Sequence, residues 1–105
     1  MLVSFKLESN YAIMYLEIIS PEAMLFAGEV TSVTLPGTNG TFQLLNNHAP
    51  IVSLLQTGDV KIEGNILVDT SYKNNFSKDS AGKTILSITS GTIEMKNNKV
   101  IVLAD

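Results

Sequence analysis

Apolar and polar residues alternate along almost the whole chain, in short runs separated by turn residues. The alternating apolar pairs are Leu16 and Ile18, Val33 and Leu35, Val60 and Ile62, Ile66 and Val68, Ile93 and Met95, and Val100 and Val102. A period of two is the pattern of a β-strand with one buried face. No window of helical length shows the sustained apolar spacing of an amphipathic helix. The pattern therefore predicts an all-β protein built from many short strands.

Short turn motifs separate these runs. They are Pro36-Gly37, Asn39-Gly40, Glu63-Gly64-Asn65, Ser90-Gly91 and Asn97-Asn98. Their Asn and Gly residues tolerate the positive φ that tight turns need. The runs Thr92 to Lys96 and Lys99 to Leu103 flank Asn97-Asn98 and predict a closing hairpin with a two-residue turn. Many short strands on tight turns are typical of a sandwich or a barrel.

One segment departs from the alternation. Thr70 to Lys83 is rich in Asn, Ser, Lys and Asp, with single aromatic residues at Tyr72 and Phe76. This composition predicts a solvated loop that links two strands.

Composition limits the classes of partner. The chain has 105 residues, enough for one domain, and it is 45% hydrophobic with only 16% charged residues. Its net charge is −3 and all seven basic residues are lysines, so no arginine is available for bidentate phosphate contacts. This balance argues against a nucleic-acid partner. No apolar stretch is long and unbroken enough for a spanning helix, so we expect no direct membrane insertion.

The candidate catalytic chemistry is sparse. His48 is the single histidine, and the chain has no cysteine, so a metal site would need distant carboxylates to converge on it. A hydrolase built on His48 would need a hydroxyl and an orienting acid nearby, and no nucleophile-elbow motif is present. A turn histidine that bonds locally or contacts a partner is the simpler interpretation. The acidic residues on the polar faces of strands are interpreted as solubilising charges: Glu17, Asp59, Glu63 and Glu94.

A run without charge extends from Val30 to Gly58, over 29 residues. Its apolar residues after the Asn39-Gly40 turn are Phe42, Leu44, Leu45, Ile51, Val52, Leu54 and Leu55. Charge depletion with apolar residues is typical of the core of a protein interface. Central strands of a sandwich are commonly uncharged in any case, so core strands alone would also explain the run. Both interpretations remain open on composition alone.

Ordered blocks along the chain resemble the epsilon subunit of F-type ATP synthases. The blocks are Tyr15 to Glu22, Leu25 to Val30, Val33 to Gly37, His48 to Ile51, Gly58 to Ile62, and Ser90 to Met95 followed by Asn98 to Asp105. The resemblance covers residues 14–105, which are interpreted as one epsilon-type domain, with residues 1–13 as an N-terminal extension or tag. It implies a ten-stranded β-sandwich.

The resemblance also implies a function. An epsilon subunit is a non-catalytic element of the rotating central stalk, and it binds the gamma subunit and rests on the c-ring of the membrane sector. It needs no cofactor, and in bacteria it lies peripherally on the cytoplasmic face of the inner membrane. The alternative that the composition leaves open is a free-standing β-sandwich binding module.

Particular residues take their expected roles from this family. The loop of Thr38, Asn39, Gly40 and Thr41 corresponds to the part that faces the c-ring. The segment His48, Ala49 and Pro50 corresponds to a contact with gamma. Both segments fall inside the charge-free run, while Val33, Leu35 and Leu54 are interpreted as sandwich core.

The sequence departs from the family pattern at three places. Family members usually continue into a C-terminal pair of helices, which this chain lacks, so the inhibition of ATP hydrolysis and the ATP binding of those helices are not carried over. Thr41 stands where some relatives carry an acidic residue that faces the ring. Asn46-Asn47 replaces the usual Pro-Gly before His48, and Asn47 is expected to adopt the left-handed conformation that the glycine would.

Overall fold

The computed structural model describes residues 13–105 of the chain. This part contains ten β-strands and one short 3₁₀-helix. The strands are β1 (Met14–Ile19), β2 (Met24–Val30), β3 (Ser32–Gly37), β4 (Gly40–Leu45), β5 (Ile51–Leu55), β6 (Gly58–Glu63), β7 (Phe76–Lys78), β8 (Thr84–Ile88), β9 (Gly91–Lys96) and β10 (Lys99–Ala104). The helix η1 (Thr70–Asn75) lies between β6 and β7. No helix in this part of the chain is long and apolar enough to cross a membrane.

The strands form one hydrogen-bonded sheet that curls into two five-stranded layers. The first layer has the order β2-β1-β10-β9-β5, and the second has the order β4-β3-β6-β8-β7. The layers join where Gly37 of β3 pairs with Leu55 of β5. A side chain at position 37 would lie 2.8 Å from the Gly40 carbonyl oxygen and from the Phe42 ring, so this corner needs glycine. The prediction of an all-β, ten-stranded β-sandwich is confirmed.

The two layers enclose one hydrophobic core. Its members include Leu16, Ile18, Val33, Leu35, Val60, Ile62, Ile93, Met95, Val100 and Val102, which are the inward positions that the alternation predicts. Each of these side chains is at most 1% exposed. Successive residues of a strand point to opposite faces of the sheet. Apolar residues at every second position therefore give each strand one buried face. Burial of these faces against each other holds the layers together.

The predicted strand at Ile66 and Val68 is wrong. Gly64 follows β6 with φ +143, a conformation that turns the chain out of the ladder and that other residues avoid. The chain from there to Asp69 pairs with no strand of the described sheet. Ile66 still packs against the core as a partly buried side chain. Its apolar character therefore reflects the packing of this connecting segment against the core, and not strand pairing.

The prediction of a solvated loop from Thr70 to Lys83 is also wrong in part. The helix η1 and the strand β7 fall inside this segment. The Asp69 side chain accepts a hydrogen bond from the Ser71 backbone N–H at 2.8 Å and so caps the helix. Tyr72 and Phe76 pack against the core. These two aromatic side chains anchor a segment whose remaining residues are polar.

The closing hairpin is confirmed, with β9 and β10 joined by Asn97 and Asn98. Their φ values of 53 and 60 are both positive, as the two-residue primed turn requires. Asn adopts this conformation at lower cost than most residues other than glycine.

Asp79 organises the turn between β7 and β8. Its carboxylate accepts hydrogen bonds from the backbone N–H groups of Ala81 and Lys83, each at 2.9 Å. The bond from Lys83 is the main cause that holds the pKa of Asp79 below its ordinary value of 3.8, with further help from Ala81 and from the charge of Lys61. The ionised carboxylate is therefore the form that stabilises this turn.

We expect Asp79→Asn to lower the free energy of unfolding at neutral pH, because a neutral amide oxygen is a weaker acceptor than a carboxylate. A lowered folded-state pKa gives stability that is present above the unfolded value and is lost as pH falls through the folded value. The difference in the free energy of unfolding between wild type and variant should therefore disappear as the pH falls below 3.8. Urea unfolding across a pH series measures it, with the exposed Glu22→Gln as the control. A pH-independent difference would contradict this assignment.

Candidate protein interfaces

The tip of the β3–β4 hairpin projects from the corner where the two layers join. Thr38, Asn39, Gly40 and Thr41 are all exposed there. The Thr38 backbone N–H donates to the Leu54 carbonyl oxygen at 3.4 Å, which ties the tip to β5. This group is the one that the family resemblance assigns to the c-ring, and the structure presents all four residues to solvent.

The segment around His48 forms a separate turn between β4 and β5. Asn47 has φ 66, so the expected left-handed residue is confirmed. The His48 backbone N–H donates to the Leu45 carbonyl oxygen at 3.3 Å, and the ring Nδ1 bonds to the Ala49 carbonyl oxygen at 2.7 Å. The Asn98 side-chain amide donates to Asn47 Oδ1 at 3.3 Å. The turn is therefore fixed against the closing hairpin, with His48, Ala49 and Pro50 exposed.

These two groups lie at opposite ends of β4. The strand runs from Gly40 to Leu45, and at the usual rise of a β-strand its length is about 17 Å. The hairpin tip and the His48 turn are therefore distinct surfaces. One rigid domain presents both at once, so two partners could bind without competing.

The outward face of β5 continues from the His48 turn. Val52 is 75% exposed and Leu54 is 63% exposed, while Leu55 is buried. Pro50, Val52 and Leu54 share this face because alternate residues of a strand point the same way. The prediction that Leu54 belongs to the core is therefore wrong, because the inward positions of β5 are the odd-numbered ones. Val33 and Leu35 are buried as predicted.

An uncharged row of side chains crosses the outer face of the first layer. The strand register places Leu54 opposite Thr92, Thr92 opposite Leu103, Leu103 opposite Ile19, and Ile19 opposite Met24. We call these five residues the apolar row. Leu54, Leu103 and Met24 are 63%, 49% and 47% exposed. Exposed apolar residues that adjoin across several strands are typical of a protein interface.

A charged border runs beside the apolar row. The next row toward the His48 turn holds Val52, Glu94, Ile101 and Glu17 in register. The Glu17 carboxylate lies 3.8 Å from Lys99 Nζ. An apolar strip bordered by charged groups is the usual arrangement of an interface core and its rim.

Sequence reasoning missed most of this row, although it did single out Leu54. Met24, Ile19 and Leu103 are separated along the chain, and only the strand register brings them together. One local clue was available: Leu103 follows Val102 directly, so an apolar residue sits on the strand face opposite the core.

The candidate catalytic and metal-binding groups are not brought together in the part of the chain that the structure describes. In residues 13–105 no cluster of three His or acidic side chains is placed to hold a metal ion. The His48 ring uses Nδ1 on its own neighbouring carbonyl group, and the described residues place no carboxylate in hydrogen-bond contact with it. A general base that is oriented by an acid is therefore not assembled at His48.

Fold and surface together define a two-layer β-sandwich domain with exposed groups at both ends of β4 and exposed apolar residues across one face. The comparison with protein families gives a specific match: residues 13–105 fit the model described as "ATP synthase, Delta/Epsilon chain, beta-sandwich domain". The chain belongs to this family.

Named relatives agree with that assignment. The ATP synthase epsilon chain of Chlorobium limicola is 37% identical over 90 residues, an alignment that covers 86% of both chains. The ATP synthase epsilon chain of Campylobacter curvus is 36% identical over 92 residues, covering 88% of this chain and 60% of the relative. The present chain thus spans less than two thirds of the Campylobacter relative.

Solved structures with a similar fold include chains of mitochondrial ATP synthases. A chain of the Euglena gracilis mitochondrial ATP synthase (OSCP/F1/c-ring) matches with a TM-score of 0.67 at 18% identity, covering 89% of this chain and 51% of its own length. A chain of the Tetrahymena thermophila mitochondrial ATP synthase central stalk and c-ring matches with a TM-score of 0.62 at 13% identity. The match covers 87% of the present chain and 62% of the Tetrahymena chain. At these identities the likeness is one of fold.

Proposed function

We propose that this chain is a non-catalytic rotor subunit in the central stalk of a proton-translocating F-type ATP synthase. It couples the gamma subunit to the c-ring, peripherally on the cytoplasmic face of a bacterial inner membrane. The observation that carries the proposal is the placement of two exposed groups at opposite ends of β4, on a domain whose outer face also bears the apolar row. Membership of the epsilon family supports it.

The gamma contact begins at His48, Ala49 and Pro50. It continues along the outward face of β5 through Val52 and Leu54 and onto the apolar row. Gamma then covers apolar area that otherwise faces water, which is favourable at roughly 25 cal/mol per Å² before the costs of association. The charged border around the row sets the orientation of the two subunits.

The ring contact is made by the hairpin tip, Thr38, Asn39, Gly40 and Thr41. The tip carries no charge, so its contact relies on shape and hydrogen bonds rather than on ion pairs. Residues 13–105 contain no pair of α-helices, and we propose no inhibition of hydrolysis and no ATP binding of the kind attributed to such helices.

A rotor element has to transmit torque without deforming. Two five-stranded layers around one close-packed core resist deformation, because interdigitated core side chains sit in fixed rotamers and transmit strain. The hairpin tip is tied to β5 and the His48 turn is tied to the closing hairpin. Both contact groups therefore move with the domain as a rigid body.

Mixing the protein with its cognate gamma subunit at about micromolar concentration should give a complex that elutes as one species in gel filtration, since an interface of standard size holds at that concentration. Gamma alone and an unrelated β-sandwich of similar size are the controls. Separate elution of the two subunits would rule out the proposed coupling role, while the fold would stand.

A further inference from the structure

We propose that Asn39 is a site of spontaneous deamidation, and that the product puts a carboxylate on the hairpin tip. The chemistry depends only on the structure of the tip. Its consequence for a ring contact rests on the proposed function. The tip lies inside a run of 29 residues without charge, so one new carboxylate changes the character of this surface.

The sequence contains a single Asn followed by Gly, at Asn39-Gly40. Both residues are exposed at the hairpin tip. The space where a side chain on Gly40 would stand is empty to a distance of 4 Å. Residue 40 therefore has no side chain of its own beside the backbone nitrogen, and no neighbouring group fills the space where one would stand.

The reaction needs no partner except water. The Gly40 backbone nitrogen attacks Asn39 Cγ, a nitrogen–carbon bond forms, and the bond from Cγ to the side-chain amide nitrogen breaks. Ammonia leaves with the proton that the Gly40 nitrogen gives up, and a five-membered succinimide remains. Water then opens the ring at either carbonyl and leaves aspartate or isoaspartate at position 39.

The local structure favours this site over Asn47 and Asn98. Gly40 pairs with Gly37 at the last rung of the β3–β4 ladder, directly beside the exposed two-residue turn. The Asn98 side chain accepts a hydrogen bond from the Asn47 backbone N–H and donates one to Asn47 Oδ1, so both side chains are held in place. The residue after Asn98 is Lys99, whose side chain hinders attack by its own backbone nitrogen.

Deamidation would act on the ring contact in two ways. A carboxylate has to be desolvated when the tip is covered, which costs free energy unless a cation meets it. Isoaspartate also lengthens the backbone by one carbon, which a tight turn cannot absorb without changing shape. Both effects weaken a contact that is made by an uncharged tip.

The test of the chemistry uses the purified protein, incubated in neutral buffer and sampled over weeks by peptide mapping with mass spectrometry. We expect the peptide containing Asn39 to gain the mass difference between OH and NH₂ earlier than the peptide containing Asn98. Asn39→Gln should abolish this change, because its longer side chain closes a ring much more slowly. No conversion at Asn39, or conversion of Asn98 at a similar rate, would overturn the proposal.

The test of the consequence compares the binding of two variants to isolated c-ring in detergent. Asn39→Asp should bind about tenfold more weakly than Asn39→Gln, the ratio that corresponds to about 1.4 kcal/mol. Equal binding of the two variants would refute the effect of charge. If the wild-type protein did not bind the ring at all, the proposed function would be wrong. The mass spectrometry would still test the deamidation of Asn39 independently.

Discussion

Gly91→Ala is expected to destabilise the protein by about 3 kcal/mol, at the upper end of the usual cost of overpacking. A Cβ atom at position 91 would stand well inside van der Waals contact with the Leu103 carbonyl oxygen and 3.4 Å from the Ala104 Cα. Both are backbone atoms of β10, which pairs with β1 on one side and with β9 on the other. Neither can move aside without breaking a ladder at the centre of the first layer.

Urea unfolding at neutral pH measures this loss. The control is Gly28→Ala in β2, where the new Cβ would lie 3.2 Å from the end of the Phe26 ring, a contact that a shift of a few tenths of an ångström relieves. We expect the Gly28 variant to lose much less stability than the Gly91 variant. Equal losses would mean that β10 yields to the added methyl group.

Gly91 also illustrates how a correct prediction can rest on the wrong cause. The Ser90-Gly91 motif predicts a turn on the ground that glycine tolerates positive φ. The turn lies at this place, before β9, but the positive-φ glycines of the described chain are Gly40, Gly64 and Gly82. Position 91 needs glycine because another strand passes too close for a side chain. Sequence alone does not separate these two causes.

Local alternation predicted most of the core, because the inward face of each strand is determined by its own sequence. Val33, Leu35, Val100 and Val102 are buried for this reason. The alternation failed at Ile66, which lies in a connecting segment and is partly buried because it packs against the core, not because it pairs with a strand. A short apolar run gives the same pattern in both cases.

The contact surface was less predictable, because it depends on strand register. The family resemblance pointed to His48 and to the hairpin tip, and the structure places both at the surface. Leu103 and Met24 join Leu54 in one row only through pairing across the strands of the first layer. Their separation along the chain gives no local signature of this row.

Leu54→Asp is expected to weaken binding of the gamma subunit by about 30-fold or more, the change that corresponds to the roughly 2 kcal/mol lost at an interface hot spot. Leu54 is 63% exposed, so the carboxylate remains hydrated in the free protein and the fold should be unaffected. In the complex the same carboxylate is buried against the apolar row and loses its water.

The matched control is Leu67→Asp, which makes the same substitution at an apolar residue that is 89% exposed. Leu67 lies between β6 and η1, in a surface depression that it shares with Met24, at the end of the apolar row opposite Leu54. In a titration with gamma, this control variant should bind with the same affinity as wild type. Thermal unfolding should show that both variants are folded. If Leu54→Asp also bound like wild type, the apolar row would not be the gamma contact. If Leu67→Asp alone weakened binding, gamma would instead contact the surface around the segment between β6 and η1.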